Sequence, residues 1–298
     1  MKYLGVMVDS GLRFETHLKE AAKKAQGIMN NLGRLLPNLG GPKQGRRKLL
    51  GNVAQSVLLY AAPVWAHRAR LPRNLSSLGK VQRIVAHRAI CAYIRVSRDA
   101  AQVLAGTPPA DLLALERARV YDSCHGKQLT ATQRSWVRIR EREQTINMWH
   151  DQWDELEEGN WRQWTRTLIP DLRTWVTRRH GSMSYRLTQV MSGVGCFNAY
   201  LHGINRATTE QCPHCPMSAR DDAHHALFHC PAWAQQRAEM FSVCGTFNED
   251  TMEEIMLRGS QEWNAVSNFA EVVIREKEEA ERQRKCEAEW NSSPHDIC

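Results

Sequence analysis

Cys212 and Cys215 stand two residues apart, and His225 and Cys230 follow with four residues between them. No other feature restricts the local fold of this chain so tightly. Two cysteines at that spacing can wrap a single ion as a knuckle, and a downstream His and Cys can close a tetrahedron around it. The step from His225 to Cys230 is one that a short helical segment can present toward one point. His224 is the rival to His225, because the neighbouring position needs only a modest local rearrangement. Soft thiolates with one imidazole select Zn²⁺, and four protein ligands leave no position for a bound water, so the expected role is structural. A disulfide or accidental clustering is the competing interpretation. The nine cysteines are odd in number and scattered, which favours reduced thiols and one metal site over a disulfide framework. Asp221 and Asp222 lie in the spacer between the ligand pairs and read as solvated acids. Two-metal catalysis needs carboxylates held rigidly beside further acidic ligands.

Charge is the second constraint. The net charge is +8, and residues 1–110 hold 18 Lys/Arg against 4 Asp/Glu, whereas residues 245–298 hold 6 against 13. A basic half of that density attracts phosphates and releases counterions on binding. The longest apolar run, Val57 to Ala66, is roughly half of the about 20 residues that a bilayer span requires. The N-terminus also lacks the pattern of a secretory signal. An intracellular protein without a membrane partner is expected.

The apolar spacing is mainly helical. Tyr3 to Asp9 reads as a short strand ending at the Ser10-Gly11 turn, with its pairing partner upstream or just after that turn. From Phe14 to Leu36, the residues Leu18, Ala21, Ala22, Ala25, Ile28, Met29, Leu32 and Leu35 recur at three and four residues. Pro37 and Gly40-Gly41 end that helix. Pro42 is placed to begin another, running to about Ala62, where Pro63 stops or kinks it. Lys43, Arg46, Arg47 and Lys48 crowd its first turns, where the helix dipole disfavours cations and an anion nearby would relieve the cost. A helix from about Leu75 to Val96 carries Leu78, Val81, Val85, Ala89 and Ala92 on one stripe and Lys80, Arg83 and His87 on another. Ser97 reads as an N-cap, and Gly106 to Pro109 as a turn before a helix from Asp111 to about His125. Six of the ten tryptophans (Trp136, Trp149, Trp153, Trp161, Trp164 and Trp175) fall between residues 126 and 200. Most are expected to pack in the interior, with base stacking as the alternative role for any one ring. Glu271 to Trp290 is a charged helical pattern with a thin apolar stripe, and Asn291 to Cys298 reads as a frayed end.

Several motifs, taken in order, resemble the C-terminal half of the reverse transcriptases of arthropod non-LTR retrotransposons, including elements that insert into ribosomal RNA genes. Lys2-Tyr3-Leu4-Gly5-Val6 with Asp9 and Leu12 is similar to the hairpin after the palm. Val81-Gln82-Arg83, Ala92-Tyr93, Val96-Ser97 and Val103 to Pro109 resemble the thumb and the region beyond it. Trp161, Trp164-Thr165-Arg166, Leu168-Ile169-Pro170, Trp175, His180-Gly181 and Leu187-Thr188-Gln189 resemble the connector that precedes the zinc knuckle. Val194 departs from the pattern, standing where a histidine is expected, so the polar interaction that a histidine would make there is expected to be missing.

The resemblance implies a mainly α chain with five parts. Residues 1–12 would end the palm hairpin, 13–123 form the helical thumb and following helices, and 124–200 form the Trp-rich connector. Residues 201–240 would be the zinc knuckle and 241–298 a charged helical tail. It further implies a C-terminal piece of an RNA-directed DNA polymerase polyprotein with an endonuclease. The palm carboxylates and their Mg²⁺ would lie upstream, leaving this chain without a catalytic residue and inactive alone. Its partners would be template–primer RNA and DNA, target DNA and the upstream polymerase domains, in the nucleus at the site of integration. Lys43, Arg46, Arg47, Lys48, Lys80 and Arg83 would grip nucleic acid. A stand-alone zinc-containing nucleic-acid-binding protein derived from such an element is the alternative.

Overall fold

The computed structural model describes residues 1–155 and 160–292, and within these the side chains of all but residues 160–162 and 288–292. The chain is mainly helical and divides into two compact units. The first comprises residues 1–162 with 171–178, and the second residues 163–170 with 179–298.

The first unit begins with a hairpin, β1 (Lys2–Tyr3) against β2 (Val6–Met7), in antiparallel register with Tyr3 opposite Val6. The single strand expected over residues 3–9 is thus folded on itself, pairing within residues 2–7 and not with a segment after the Ser10-Gly11 turn. Leu4 (φ 44°) and Gly5 (φ 85°) both take positive φ, as a two-residue turn that follows the strand twist requires. The Tyr60 hydroxyl donates to the Leu4 carbonyl at 2.9 Å, and its ring lies 3.2 Å from where a Cβ on Gly5 would stand. The carboxylate of Asp9 accepts the backbone N–H groups of Gly11, Arg13 and Phe14 at 2.7–3.1 Å. These bonds hold its pKa below the usual carboxylate range, the Arg13 N–H contributing most.

The helices that follow are α1 (Glu15–Gly33), α2 (Gln44–Leu58), α3 (Ala62–Trp65), α4 (Pro72–Ile90), α5 (Arg98–Ala105), α6 (Ala110–Cys124) and α7 (Ala131–Asp154). The expected apolar faces meet in one core. Leu18, Ala25 and Met29 of α1, Ala54 and Leu58 of α2, Trp65 of α3 and Leu78, Val81 and Val85 of α4 are all buried. Leu35 is exposed and Leu36 buried, because α1 stops at Gly33 and the chain no longer follows the helical phase. Lys43 rather than Pro42 is the residue flanking α2, and Pro63 sits in the first turn of α3, where its missing N–H is harmless. A Cβ on Gly51 would lie 2.8 Å from Val85, so that glycine lets α2 and α4 approach closely. The helix expected to reach Val96 ends instead at Cys91, which adopts left-handed φ 58°. Ser97 caps α5 by accepting the Ala100 N–H at 3.2 Å.

The second unit contains α8 (Asn160–Leu168) from Gln163 onward, α10 (Tyr185–Ser192), α11 (Asn198–Gly203), α12 (Ala234–Cys244), α13 (Met252–Arg258) and α14 (Ser260–Ser292), while α9 (Leu172–Thr177) belongs to the first. The charged tail pattern is the distal part of α14, whose near part buries Trp263, Val266, Ala270, Val273 and Ile274. Gly181, at φ 81°, lies against the Trp263 ring, where a Cβ would come within 2.3 Å. Trp149, Trp153 and Trp175 are buried, and Trp164 donates its indole N–H to the Val190 carbonyl at 2.8 Å. Trp136 is the exception, 67% exposed. The Trp161 side chain and residues 293–298 lie outside the described residues. Val194 is buried, and its N–H donates to the Ser192 hydroxyl at 3.3 Å.

Candidate metal centre and basic surface

The four predicted ligands converge. Gln211 pairs with Arg220 in an antiparallel bridge, and Cys212 N–H donates to Ala219 O at 2.8 Å, so residues 213–218 loop tightly around the first cysteine pair. Residues His225–His229 form a π-helical turn, closed by Cys230 N–H donating to His225 O at 2.7 Å. A hydrogen bond across five residues carries the two ligands of that turn to the same side. Asp222 accepts the His225 N–H at 2.8 Å, and Arg237 donates to the carbonyls of Leu227 (2.9 Å) and Cys230 (2.7 Å).

Cys212 Sγ lies 3.9 Å from Cys230 Sγ, and Cys215 Sγ 3.5 Å from His225 Nε2. All four ligand atoms fall within 4.8 Å of one another. Tetrahedral bonds of about 2.3 Å to sulfur and about 2.0–2.1 Å to nitrogen produce edges of roughly 3.5–3.8 Å, so the Cys₃His donor set could hold a metal ion such as zinc. Burial pushes the Cys212 thiol up to about 12 and also raises Cys230, while burial lowers His225. Without an ion these groups favour their neutral forms. His224 stands outside the cluster, with Nε2 3.4 Å from a Glu249 carboxylate.

Asp221 is not the solvated acid that its sequence context implied. It is 1% exposed, and its Oδ1 pairs at 2.6 Å with Lys277 Nζ, itself 1% exposed. Its Oδ2 accepts the Asn198 N–H at 2.8 Å. A paired charge and a satisfied lone pair are what make a buried carboxylate tolerable. Lys277 carried a sequence signal, since it extends the buried series Val266, Ala270, Val273 and Ile274 by three or four residues. Nothing in the charged run around it pointed to Asp221 as its partner.

The six basic residues are not gathered into one patch. Lys43, Arg46, Lys80 and Arg83 are exposed. Arg47 is 3% exposed, and its guanidinium donates to the carbonyls of Pro42 (2.7 Å), Leu36 (3.3 Å) and Arg88 (3.3 Å), and also to that of Pro37. It is therefore a tie between the start of α2 and the end of α4, with no donor turned to solvent. Lys48 is half-buried, and desolvation first, then the nearby Arg178 charge, pull its pKa down to about 8. Arg83 donates to the carbonyls of Ile94 (2.5 Å) and Val96 (3.3 Å). Because Arg47 meets Arg88 and Gly51 meets Val85, α2 and α4 run antiparallel, and Lys80 lies level with the far half of α2 from Lys43 and Arg46.

No single helix among the described residues is long and apolar enough to cross a membrane. No family model and no solved structure matches the chain. The sequence is 27% identical, over 92% of its length, to a 115 kDa protein of the type-1 retrotransposable element R1DM of Drosophila melanogaster, of which the match spans 28%. It is 25% identical, over 80% of its length, to the Pol polyprotein of an R1 element of Bradysia coprophila, spanning 24% of that protein. A Pol polyprotein of an R1 element from Nasonia vitripennis is 26% identical over 94% of this chain and matched over 73% of its own length. The matched stretch is thus about a quarter of the two longer relatives, and over most of its length this chain is a homologue of the Pol polyproteins of R1 non-LTR retrotransposons.

Proposed function

We propose that this chain is the C-terminal portion of an R1-type reverse-transcriptase polyprotein, working in the nucleus and supplying grip on template–primer and target nucleic acid rather than catalysis. The observation that carries the proposal is the closed Cys₃His cluster within a stretch homologous to R1 Pol polyproteins. A four-donor site leaves no position for a reactive water, and small zinc modules of this kind engage unstacked bases. Cys212, Cys215, His225 and Cys230 would hold one structural Zn²⁺. Lys43, Arg46 and Lys80, whose exposed heads carry no ion pair among the described residues, would meet backbone phosphates. Asp9 is engaged in capping the turn before α1, so Mg²⁺-dependent nucleotidyl transfer and the endonuclease would belong to other parts of the polyprotein.

Metal analysis of the purified chain together with duplex and RNA/DNA-hybrid binding at several salt concentrations tests this directly. One zinc per chain is expected, with a salt slope that falls by about 0.9 on B-DNA for each phosphate no longer neutralised when Lys43 and Arg46 are changed to Glu. A zinc-free folded chain, or binding indifferent to salt, overturns the proposal. Primer extension on an RNA template by the pure chain would do so as well.

A further inference from the structure

The α6–α7 hairpin ends in a stretch without a fully buried residue: every residue from Arg117 to Arg140 is at least partly open to solvent. It is nonetheless well built. Thr130 and Gln133 form a reciprocal capping box at the start of α7, and Arg119 ties α6 to Glu141 at 2.8 Å. Arg140 reaches Ser123 at 3.4 Å, which sets the two helix ends side by side. On this end Trp136 is 67% exposed and Ile139 46%, one turn apart on one helix face with Arg140. On the α6 side, Tyr121 stacks on His125 at 4.7 Å between ring centroids. From His125 to Arg140 the sequence holds Lys127, Arg134, Arg138 and Arg140 and no acid. Arg134 and Arg138 have no ion pair among the described residues.

Trp136 and Ile139 on one helix face put more apolar surface in water than a lone exposed side chain does, and a covering group would relieve that cost. The surrounding charge selects the occupant. Lys127, Arg134 and Arg138, cations with no ion pair among the described residues, repel a basic partner and attract phosphates, and an exposed ring among them is how single strands are held without sequence preference. We infer that the outer end of the α6–α7 hairpin binds single-stranded nucleic acid, with a base stacked on Trp136 and the flanking phosphates drawn by Arg134 and Arg138, Arg140 being held by Glu141 at 2.7 Å. The inference rests on the nucleic-acid reading above but uses a helix pair remote in sequence from Lys43 and Arg46.

Fluorescence anisotropy with a labelled mixed-sequence single strand, beside a duplex of the same sequence, tests it on the full chain. Trp136→Ala should weaken single-strand binding about tenfold, within the range for losing one stacked base, and Trp136→Phe should restore most of it. Arg134→Gln with Arg138→Gln should flatten the single-strand salt slope by about 0.7 for each phosphate released. Duplex affinity and the melting temperature should hold in all three, because the ring buries no protein core. Unchanged single-strand binding by Trp136→Ala, with duplex binding intact, overturns the stacking surface alone. A chain that binds neither strand form overturns the broader proposal too. Concentration-dependent dimerisation abolished by Trp136→Ala, with nucleic-acid affinity unaltered, would overturn it in favour of a second copy on this face.

Discussion

The two units hold themselves together by different means, and the difference predicts where each will fail. In the first, α1, α2 and α4 interlock through long apolar faces, and its buried polar groups are shared among many partners: Arg47 on four carbonyls, Gln82, whose Oε1 accepts the Ala110 N–H at 2.7 Å, and the acids Glu116 and Glu141, paired with Arg142 and Arg119. Energy of that kind is spread over many side chains, so no single one is decisive. In the second, the segment from Gln211 to Cys230 has little regular structure and gathers four donor atoms that could hold one metal ion beside a single buried ion pair. Concentrated energy makes a small segment foldable, and also fragile to a single change.

The sharpest way to break the comparison is to remove a ligand. Cys215→Ser, or chelation of the wild-type chain, should abolish metal binding and unfold the 211–230 segment while the first unit keeps its helices. The check is metal stoichiometry alongside hydrogen exchange resolved by segment. A loss of protection spread equally over α1, α2 and α4 would show that the units do not differ as described. Of the two histidines, His225→Ala should weaken the metal strongly and His224→Ala little, since the latter gives up its pairing with Glu249 and ring contacts with Trp164, Phe228 and His229 but no donor of the cluster. The opposite ranking would move the ligand role.

The buried ion pair comes next in size. Lys277→Met leaves Asp221 buried without its counter-charge and should destabilise the second unit by about 3–5 kcal/mol. Adding Asp221→Asn should recover part of that loss, because the amide needs no cation. Thermal melts of the single and double variants measure both. A double variant no more stable than the single one would mean that the pair acts through geometry rather than charge.

A smaller effect sharpens the account of the first unit. Arg47→Leu strands carbonyls at about 1–3 kcal/mol for each one left unsatisfied, and it should lower stability without altering the salt slope of nucleic-acid binding. Arg46→Glu, one residue away and exposed, should do the reverse. Identical behaviour of the two variants would remove the distinction between a structural and a surface arginine.

The smallest effect is in pH. Burial, with Arg83 nearby, pulls His87 down to about 4 from an ordinary value of 6.5. The unfolded chain therefore binds this proton where the native chain does not. The contribution to stability is fully present above pH 6.5 and is lost as pH falls toward 4. His87→Gln should shallow the acid side of the first unit's stability profile, and an unchanged profile would assign that slope to other groups.

Much of this was legible in the residues alone. Helical periodicity located α1, α2 and α6 to within a few residues and found α4 but carried its end six residues too far, because each buries one face and must repeat apolar groups along it. The spacing of Cys212, Cys215, His225 and Cys230 pointed to one four-donor cluster, because only a few spacings close a tetrahedron. The turn at Leu4-Gly5 was missed because strand-favouring residues on both sides hid a two-residue reversal. What the tertiary structure decided were matters of which neighbour arrives. The phase of the π turn selects His225 over His224. The approach of α14 turns Asp221 from a solvated acid into half of a buried pair. The packing of α2 on the end of α4 draws Arg47 inward while Arg46 stays out. Local sequence records a residue's chemistry and its position in a repeat. Burial, partners and effective charge depend on distant segments meeting, as Asp221 and Lys277, 56 residues apart, do, and no repeat along the chain encodes that meeting.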